Sequence, residues 1–426
     1  MSYDALEFAD RVWRGEVGPE EQHPFFYIGE LIELQPGLAF VPSFANVTAF
    51  ATAQGLVLID SGGFLTAPGV QAQLRRWSAE PVHTIIFSHG HVDHVCGASR
   101  YDEEAAANGW KRPHVVAHEA VVERFERYSR TAGYNGRINA RQFQLPDLSW
   151  PTSYRIPDET YHTALTLEVG EQHFELRHAR GETDDHTWIW AAERRVLCCG
   201  DLFIWTFPNA GNPQKAQRYP DRWAAALRSM ATLDAETLLP GHGPPLTGSA
   251  RIRTALGDTA TVLELLCEQT LELMNAGARL NELLCSVSVP QALLDKPYLR
   301  PLYDEPEFVV RNLWRLYGGW YDGNPANLKP ADDQALAREF AALAGGAERL
   351  AQRARELAAA GELRLAGHLA ELGTLAAPDS LAAHAARAEV YTARAASESS
   401  TMARGIFASA AAESRRSGAA GGEASA

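Results

Sequence analysis

Two kinds of hydrophobic pattern follow one another along the chain. Up to about residue 250, short apolar or alternating runs that predict β-strands end at Gly, Asp or Ser and alternate with helical patterns. The clearest strands are GLAFVPSF, NVTAFATAQGLVLIDSG and HTIIFSHG, and residues 67–78 and 222–233 have helical periodicity. Strands that alternate with helices, mixed with hairpins, predict a layered α/β domain over residues 1–250.

The second pattern, beyond residue 250, is helical almost throughout. The segment ALGDTATVLELLCEQTLELMNAG has apolar residues at helical spacing and ends at Gly277. After Pro330 the chain is rich in Ala and Leu, with four amphipathic helical patterns separated by Gly, Pro or Asp. We therefore predict an all-α helical domain over residues 251–412. The low-complexity residues 413–426 predict a disordered tail.

Composition is typical of a globular protein and narrows the choice of partners. The chain has 426 residues, 46% of them apolar, and its 39 basic and 53 acidic residues give a net charge of −14. This acidic balance argues against nucleic acid or an anionic membrane as the main partner, but is compatible with an anionic small substrate. We expect no membrane-spanning segment and no secretory signal. Five cysteines without a CxxC spacing indicate reduced thiols and a cytoplasmic location.

The chemistry of the chain is concentrated in one short motif. Ser88-His89-Gly90-His91-Val92-Asp93-His94 directly follows the apolar strand TIIF. Three imidazoles and a carboxylate this close together would be unfavourable in a core without a metal. At a strand-to-helix turn, His89 and His91 can converge on one ion, and Asp93 and His94 can reach a second ion nearby. The motif therefore predicts a metal site at the end of this strand.

This HxHxDH motif resembles that of the metallo-β-lactamase superfamily, and further motifs follow in the family's order. An earlier strand ends at Asp60, which the resemblance implies would orient a metal ligand. The strand VLCCGD ends at Asp201, the position of the family's bridging carboxylate, and LLPGHG carries the family's final histidine as His242. The resemblance implies an αββα sandwich for the first domain.

One position departs from the common family pattern. Most relatives carry a third histidine in a Gly-His-Thr turn upstream of the bridging carboxylate, whereas this chain has Gly181-Glu182-Thr183. We prefer Glu182 as the ligand, because the same residue types frame it and the strand TWIW follows it. His178 and His186 flank the turn and are alternative ligands. With Glu182 as the ligand, His186 would support the site or face the substrate.

The resemblance implies a centre for two divalent metal ions. Its expected ligands are His89, His91 and Glu182 on the first ion and Asp93, His94 and His242 on the second, with Asp201 between them. Asp93 and Asp201 are also the expected catalytic carboxylates. Four imidazoles and three carboxylates suit Zn, Fe or Mn, and affinity alone does not choose among these metals.

Residues 302–330 resemble the segment after the catalytic domain of alkyl sulfatases, including GWYDGNPANL. Those enzymes also place a Glu at the position of Glu182 and have a helical dimerisation domain, so the resemblance implies a homodimer. They generally have Glu where this chain has Asp201. They also carry a sterol-carrier-like C-terminal domain, for which we expect no counterpart here.

Two segments are candidates for binding the substrate. Residues 133–143 resemble a Gly/Asn/Arg-rich segment of the sulfatase active site, which makes Asn139 and Arg141 candidates. The loop after Asp201 combines aromatic, amide and cationic side chains, as expected for an amphipathic substrate with an anionic group. Its candidates are Asn209, Asn212, Lys215 and Arg218. The alternative for this loop is packing against the dimerisation helices.

The ligand set is compatible with hydrolysis or with oxygen chemistry, and the resemblance to hydrolases favours a metal-dependent hydrolase of an ester-type bond. A metal-bridging hydroxide would attack an acyl thioester, an ester or an alkyl sulfate ester. The alternative is a diiron oxygenase on the same fold, because some members of the superfamily use a similar ligand set. The sequence has no flavin-binding module and no Cys-rich iron–sulfur motif to supply electrons, which favours hydrolysis. A non-catalytic scaffold would not need the intact ligand set.

Overall fold

Two β-sheets form the first part of the chain, which a computed structural model describes over residues 4–145 and 147–423. The first sheet contains, in spatial and chain order, β1 (Ile32–Gln35), β2 (Leu38–Val41), β3 (Val47–Thr52), β4 (Gly55–Ile59), β5 (Val82–Ile86), β6 (His114–His118) and β7 (Glu159–Tyr161). The second contains β8 (Ala164–Val169), β9 (Gln172–His178), β10 (Thr187–Ala191), β11 (Val196–Gly200), β12 (Thr237–Pro240) and β13 (Leu246–Thr247), in the spatial order β13-β12-β11-β10-β9-β8.

The helices flank these sheets and continue beyond them. They are α1 (Ala5–Trp13), α2 (Ala67–Trp77), α3 (Val92–Val95), α4 (Ala98–Asn108), α5 (Ala120–Arg130), α6 (Ala132–Phe143), α7 (Pro220–Ala231), α8 (Ser249–Asn275), α9 (Leu280–Ser286), α10 (Gln291–Leu294), α11 (Pro306–Gly318), α12 (Pro325–Leu328), α13 (Asp333–Ala344), α14 (Ala347–Ala359), α15 (Leu363–Ala376), α16 (Leu381–Ser397) and α17 (Thr401–Glu423). Two short 3₁₀ turns, Pro24–Phe26 and Ala192–Arg194, complete the regular structure.

The two sheets pack face to face with helices on both outer sides, which is the predicted αββα sandwich. Alternate side chains of the sheets meet in one apolar layer that includes Phe40 and Phe50 from the first sheet and Phe174 and Leu176 from the second. The outer face of the first sheet is covered by α2, α4 and α5. The outer face of the second sheet is covered by α1, α7, α8 and α11. Because both faces of the sheets are covered, β2, β4, β10, β11 and β12 are buried along their whole length.

Parallel pairing determines where the site can form. β4, β5, β6 and β7 are parallel neighbours, and β11 is parallel to β12. The carboxyl ends of parallel neighbours lie at the same edge of a sheet, so the residues that follow β4 and β5 are brought together. The backbone N–H of Asp60, just after β4, donates to the carbonyl of Ile86 at 2.9 Å, which joins these two strand ends.

The chain divides into two compact units, and the division differs from the predicted boundary at residue 250. The first unit comprises the chain up to Ala132, Trp150–Ala278 and Glu282–Gly319. It extends past residue 250 because α8 and α11 bury apolar side chains in the same core as the second sheet. The second unit comprises Gly133–Ser149, Arg279–Asn281 and the chain from Trp320 onward.

The second unit is helical, as predicted, and its helices continue further than expected. Small side chains allow α14, α15 and α16 to pack closely, with Ala354, Ala366 and Ala370 buried between them. The last helix runs to Glu423, so residues 413–423 are helical where we predicted disorder; residues 424–426 lie outside the described chain. Arg387 on α16 explains part of this extension, because it donates to the hydroxyl of Ser414 at 2.9 Å. None of the helices in the described ranges is both long and apolar enough to cross a bilayer.

Candidate metal centre

Asp60 organises the start of the site from the end of β4. Its backbone has a positive φ of 61°, an unusual conformation for a residue other than glycine. One carboxylate oxygen accepts from the backbone N–H of Ser88 at 2.7 Å. The other accepts from the Ser88 hydroxyl at 2.7 Å and from His94 Nδ1 at 2.8 Å. These are the contacts that a ligand-orienting role of Asp60 requires, and the role itself stays a prediction.

These hydrogen bonds also determine which ring nitrogens of two histidines are available. A carboxylate only accepts, so His94 donates from Nδ1 and Nε2 is the nitrogen that can coordinate. Burial opposes a charge on this ring, but without a cation Asp201, Asp60 and Asp93 raise the pKa of His94 well above its ordinary value. The Ser88 hydroxyl donates to Asp60 and therefore accepts from His89 Nδ1, which lies 3.0 Å away. His89 consequently presents a lone pair on Nε2. Both rings use Nδ1 for a hydrogen bond, which leaves Nε2 for a metal ion at this edge.

The first group of donor atoms contains His89, His91, Glu182 and Asp201. Their candidate ligand atoms all lie within 4.8 Å of one another. His89 Nε2 lies 2.8 Å from His91 Nδ1, and Glu182 Oε2 lies 3.9 Å and 3.8 Å from these two nitrogens. One carboxylate and two imidazoles that converge in this way could hold one divalent ion.

The second group contains Asp93, His94 and His242, and Asp201 lies next to both groups. Asp93 Oδ2 is 3.5 Å from His242 Nε2 and 3.8 Å from His94 Nε2. Asp201 Oδ2 lies 3.3 Å from His242 Nε2 and 3.8 Å from His89 Nε2, and its Oδ1 lies 3.4 Å from His94 Nε2. The carboxylate of Asp201 therefore lies between the two groups, as the bridging position requires.

Three buried atoms in these groups fit a metal centre better than a metal-free polar core. Within the described ranges, His94 Nε2, Glu182 Oε2 and Asp201 Oδ1 are buried and accept or donate no hydrogen bond. Buried polar atoms without partners are unfavourable, and here all three point at the donor groups. Divalent ions would satisfy them, so the residues present fit the group that the family motifs imply.

The electrostatics of the site are consistent with cation binding. Burial lowers the pKa of His89 and of His91 well below the ordinary value, which keeps both rings neutral near pH 7 and able to coordinate. Burial, opposed by Arg218, raises the pKa of Glu182 well above its ordinary range. Burial also disfavours ionised Asp201, but His242 and His94 hold the pKa of this carboxyl well below its ordinary value. A bound cation would favour the ionised form of both carboxylates.

Glu182 is held by the loop that follows Asp201. Its Oε1 accepts from the amide of Asn209 and from Arg218 Nη2, the latter at 3.2 Å. Arg218 also donates to the backbone carbonyl of Glu182. With Oε1 occupied by these two donors, only Oε2 faces His89 and His91. Asn209 and Arg218, which we predicted as substrate contacts, therefore contact the candidate ligand Glu182.

Asp201 is supported from the backbone side. His186 Nε2 accepts from the backbone N–H of Asp201 at 3.1 Å, and its ring stacks on His89 at a centroid distance of 4.7 Å. His186 thus lies behind the donor groups and is not a member of either. Gly241 is also essential to this packing, because a side chain there would begin 2.1 Å from Asp201 Oδ1.

The other alternative ligand, His178, also lies outside both groups. Its Nδ1 donates to the carbonyl of His186 at 3.0 Å, and its ring stacks on His118 with centroids 3.6 Å apart.

A third set of side chains, His118, Glu119 and His162, is close enough for a metal ion. However, His118 Nε2 donates to the carbonyl of His162 and its Nδ1 accepts from the backbone of Ala120. We therefore assign no metal to this set.

The remaining substrate candidates divide between the two units. Lys215 belongs to the first unit, lies over the ring of Trp150 at 5.4 Å, and has its pKa lowered to about 8 by burial and by the charge of Arg218. The Asn212 amide reaches Asn209 at 3.5 Å. Asn139 and Arg141 belong to the second unit, on α6, where the Asn139 amide donates to the carbonyl of Asn135. The substrate-binding roles of all four stay predictions.

Several residues that hold the candidate metal ligands in place could not be identified from the sequence. Asp185 Oδ2 accepts from the backbone N–H of Gly90 at 3.0 Å and from Arg124 Nε at 2.7 Å, and so ties the histidine loop to α5. On the other side, Phe25 stacks on His242 at 4.1 Å, and the carbonyl of Phe44 accepts from His242 Nδ1. The two adjacent acidic residues before His186 are the sequence feature that could have indicated a supporting role for Asp185. Arg124, Phe25 and Phe44 lie far in sequence from the residues that they contact, and no sequence feature indicated them.

Comparisons with known proteins agree with this architecture. Residues 41–242 match the model of the metallo-beta-lactamase superfamily, and residues 279–417 match the model of alkyl sulfatase dimerisation. This chain joins a metallo-β-lactamase domain to an alkyl sulfatase dimerisation domain. The resemblance that the sequence motifs indicated is thus confirmed, and so is the fold class. The position of the domain boundary stays a prediction, because the matches leave residues 243–278 unassigned.

The individual relatives are alkyl sulfatases. The chain is 25% identical over 319 residues to a linear primary-alkylsulfatase from Pseudomonas sp., covering 70% of this chain and 60% of that protein. It is 27% identical over 361 residues to an (R)-specific secondary-alkylsulfatase from Pseudomonas sp., covering 77% and 54%. The solved structure of the stereoselective inverting sec-alkylsulfatase Pisa1 from Pseudomonas sp. superimposes with a TM-score of 0.83 at 25% identity, covering 92% and 66%. The chain thus spans less than two thirds of each of these relatives.

Proposed function

We propose that this protein is a metal-dependent hydrolase that cleaves sulfate esters of the alkyl sulfate class. The observation that carries the proposal is the pair of donor groups around Asp201, with Glu182 at the position that a histidine takes in most metallo-β-lactamase relatives. Three buried atoms without partners point at these groups and support two divalent ions. The relatives that match over 70% and 77% of this chain are named alkylsulfatases, which supports a sulfate ester over a thioester.

The proposed chemistry assigns separate tasks to the residues of the site. Two divalent ions bound by the donor groups would polarise the ester and lower the pKa of attacking water. Asp60 and Ser88 hold the rings of His94 and His89 in the coordinating tautomer. Asp93, whose side chain is 23% exposed, is more accessible than the other donor carboxylates and can accept a proton from water at the oxygen that it does not use as a ligand.

Positive charge next to the donor groups favours an anionic substrate. Lys215 is attracted electrostatically by Asp93 and Glu182, and Arg218 donates to Glu182. We propose that Lys215 attracts the sulfate group, because its charge interacts with Asp93 and Glu182 of the two donor groups. Two cations beside a carboxylate-rich centre offset part of its negative charge, which would otherwise repel a sulfate monoester.

The proposal is tested by turnover under strict anaerobiosis. Purified, zinc-loaded protein is offered a panel of a primary alkyl sulfate, a secondary alkyl sulfate, an acyl thioester and a simple ester, in water enriched in ¹⁸O. We expect release of sulfate from an alkyl sulfate, with ¹⁸O from water in one product, and no release by the Asp201→Asn variant. Turnover of the thioester alone would assign the protein to another class, and so would turnover that needs O₂ to be admitted and then incorporates oxygen from O₂.

We also propose a homodimer formed through the second unit. Residues 279–417 match a dimerisation domain, and α13 exposes Leu336, Phe340 and Leu343 along one face, the last of them 87% exposed. A helix face of this kind is buried favourably against a second copy. Light scattering at micromolar concentration should give the mass of two chains. A monomer under these conditions would be evidence against the proposal.

A further inference from the structure

The loop that holds Glu182 is itself fixed by a segment outside the matched metallo-β-lactamase domain. We define this loop, the Asn209 loop, as residues 209–218. The family match for the first domain ends at residue 242, whereas Asp304 and Asn312 lie within the match for the dimerisation domain. Both residues belong to the same compact unit as the Asn209 loop, and both are buried against it.

Asp304 fixes the first half of the Asn209 loop. It is fully buried, and its Oδ2 accepts from the backbone N–H groups of Gly211 and Asn212 at 2.6 Å and 3.1 Å. Gly211 lies so close to α11 that a side chain there would begin 2.3 Å from the backbone of Phe308. The backbone next to Asn209 is therefore both hydrogen-bonded and sterically confined.

Asn312 fixes the second half of the loop. Its amide nitrogen donates to the carbonyls of Ala210 and Arg218, each at 3.0 Å, and so joins the two ends of the loop. Its amide oxygen accepts from the side chain of Gln217 at 2.8 Å. Asn312 is buried, so each of these bonds is shielded from competition with water.

The Asn209 loop transmits this support to the candidate ligand. Asn209 and Arg218, at the two ends of the loop, are the residues that donate to Glu182 Oε1. If the loop moved, Glu182 would lose the donors that occupy Oε1 and direct Oε2 towards His89 and His91. Partners of metal ligands typically affect metal affinity by roughly 10–100-fold when they are removed.

We propose that Asp304 and Asn312 are positioning residues for the metal ligand Glu182, which they reach through the Asn209 loop. The proposal rests on the metal-binding role proposed above for Glu182. It assigns to the α11 segment a task in the metal centre, in addition to any task in dimerisation. Because neither residue reaches the donor groups, each acts only through the loop.

The test measures zinc affinity of the full-length chain by competition with a chelator, without substrate. We expect Asn312→Leu to weaken the binding of one zinc ion by roughly 10–100-fold. Asp304→Asn, which keeps one oxygen to accept from Gly211 and Asn212, should weaken it less than Asp304→Ala. The control is Arg311→Ala on the same helix, since Arg311 is half exposed and pairs only with Glu307 among the residues described. This control should bind zinc like the unaltered protein.

A double-mutant cycle separates positioning from a general effect on the fold. In a Glu182→Gln background, Asn312→Leu should leave zinc affinity nearly unchanged, because the ligand through which it acts has been impaired already. Equal weakening in both backgrounds would overturn the proposal, as would unaltered zinc affinity in both Asn312→Leu and Asp304→Ala. If Asn312→Leu does not fold, the same cycle is run with Asp304→Asn. A lack of sulfate-ester turnover would contradict the proposed function and leave these zinc affinities unaffected.

Discussion

The two donor groups of the proposed centre are built by different means. His94 and His242 of the second group are oriented by Asp60 at a strand end and by a backbone carbonyl, that of Phe44. In the first group, Glu182 is oriented by two side chains of a long loop, Asn209 and Arg218. The second group thus depends on the sheets, which fold as a unit with the core. The first depends in addition on a loop that needs support of its own.

This difference indicates which donor group of the metal centre depends on residues outside the sheets. Strand ends and backbone carbonyls have positions that the sandwich itself determines, so the second group needs few further residues. A carboxylate in place of an imidazole has a second oxygen that accepts hydrogen bonds, and at Glu182 the partners of this oxygen, Asn209 and Arg218, come from another segment. The presence of a glutamate at position 182 instead of a histidine is therefore coupled to the Asn209 loop. Variants of the individual residues test this difference between the two donor groups.

The largest effect on activity is expected from a change at Asp201, which lies between the two donor groups. Asp201→Asn removes the carboxylate that lies between the two groups, so each group loses one of its negative charges. We expect activity to fall by about 10³-fold or more, since metal-based charge stabilisation contributes several kcal/mol. Metal analysis should show reduced occupancy at both positions. A variant that retained two metals and full activity would contradict the bridging position of Asp201.

The next prediction separates the groups. Glu182→Ala should lose one metal and nearly all activity, because the remaining donors of the first group are two imidazoles and the shared Asp201. The second group should keep its ion. As a matched control, His186→Ala should keep both metals, because His186 accepts from the backbone N–H of Asp201 and stacks on the ring of His89 without belonging to either donor group. Loss of metal in the His186 variant alone would show that our ligand assignment is wrong.

A smaller effect is expected from Asp60, which contacts His94 of the second group directly and reaches His89 of the first group only through Ser88. Asp60→Asn replaces an acceptor by an amide, so that His94 Nδ1 loses its carboxylate partner. We expect metal affinity at the second group to fall by roughly 10–100-fold while the first group is less affected. Chelator competition on Asp60→Asn and Glu182→Gln side by side would measure this asymmetry. Equal weakening of both ions in both variants would remove the distinction between the groups.

Much of this fold could be predicted from the sequence, because periodicity and motif order act locally. The strand ends at Asp60, Asp201 and His242, and the turn after β5, each follow an apolar run that forms a strand. Their convergence follows from parallel pairing at one sheet edge. The sequence also indicated Glu182 over His186, and the structure brings Glu182, not His186, into the first donor group.

The rest depends on contacts between residues that are distant in sequence. Nothing near Asn209 or Arg218 showed that they would contact Glu182 rather than solvent or substrate. The support from Asp304 and Asn312 comes from a segment more than 90 positions further along the chain. The boundary predicted at residue 250 followed a change from mixed to helical pattern, but α8 and α11 are helices that complete the sandwich. Periodicity identifies a helix without identifying the core against which it packs.

The smallest expected effect is on the free energy of unfolding, through His178, which contacts His186 next to the first donor group. Burial and the neighbouring His118 lower the pKa of His178 to about 4, and His178 donates to the carbonyl of His186, which supports Asp201. An unfolded histidine has a pKa near 6.5, so the unfolded chain binds more protons between about pH 6.5 and 4. Stability should therefore fall as the pH falls through this window.

The measurement compares urea unfolding at pH 7.5 and pH 5 in the unaltered protein and in His178→Gln. Glutamine can still donate to the His186 carbonyl but does not titrate, so this variant should lose less stability on acidification. The difference should be on the order of 1 kcal/mol, because His178 is only partly buried and solvent screens its charge. His173→Gln is the control, since His173 lies on the same strand with its side chain 48% exposed. An equal acid sensitivity of His178→Gln and the unaltered protein would show that protonation of His178 is not linked to unfolding.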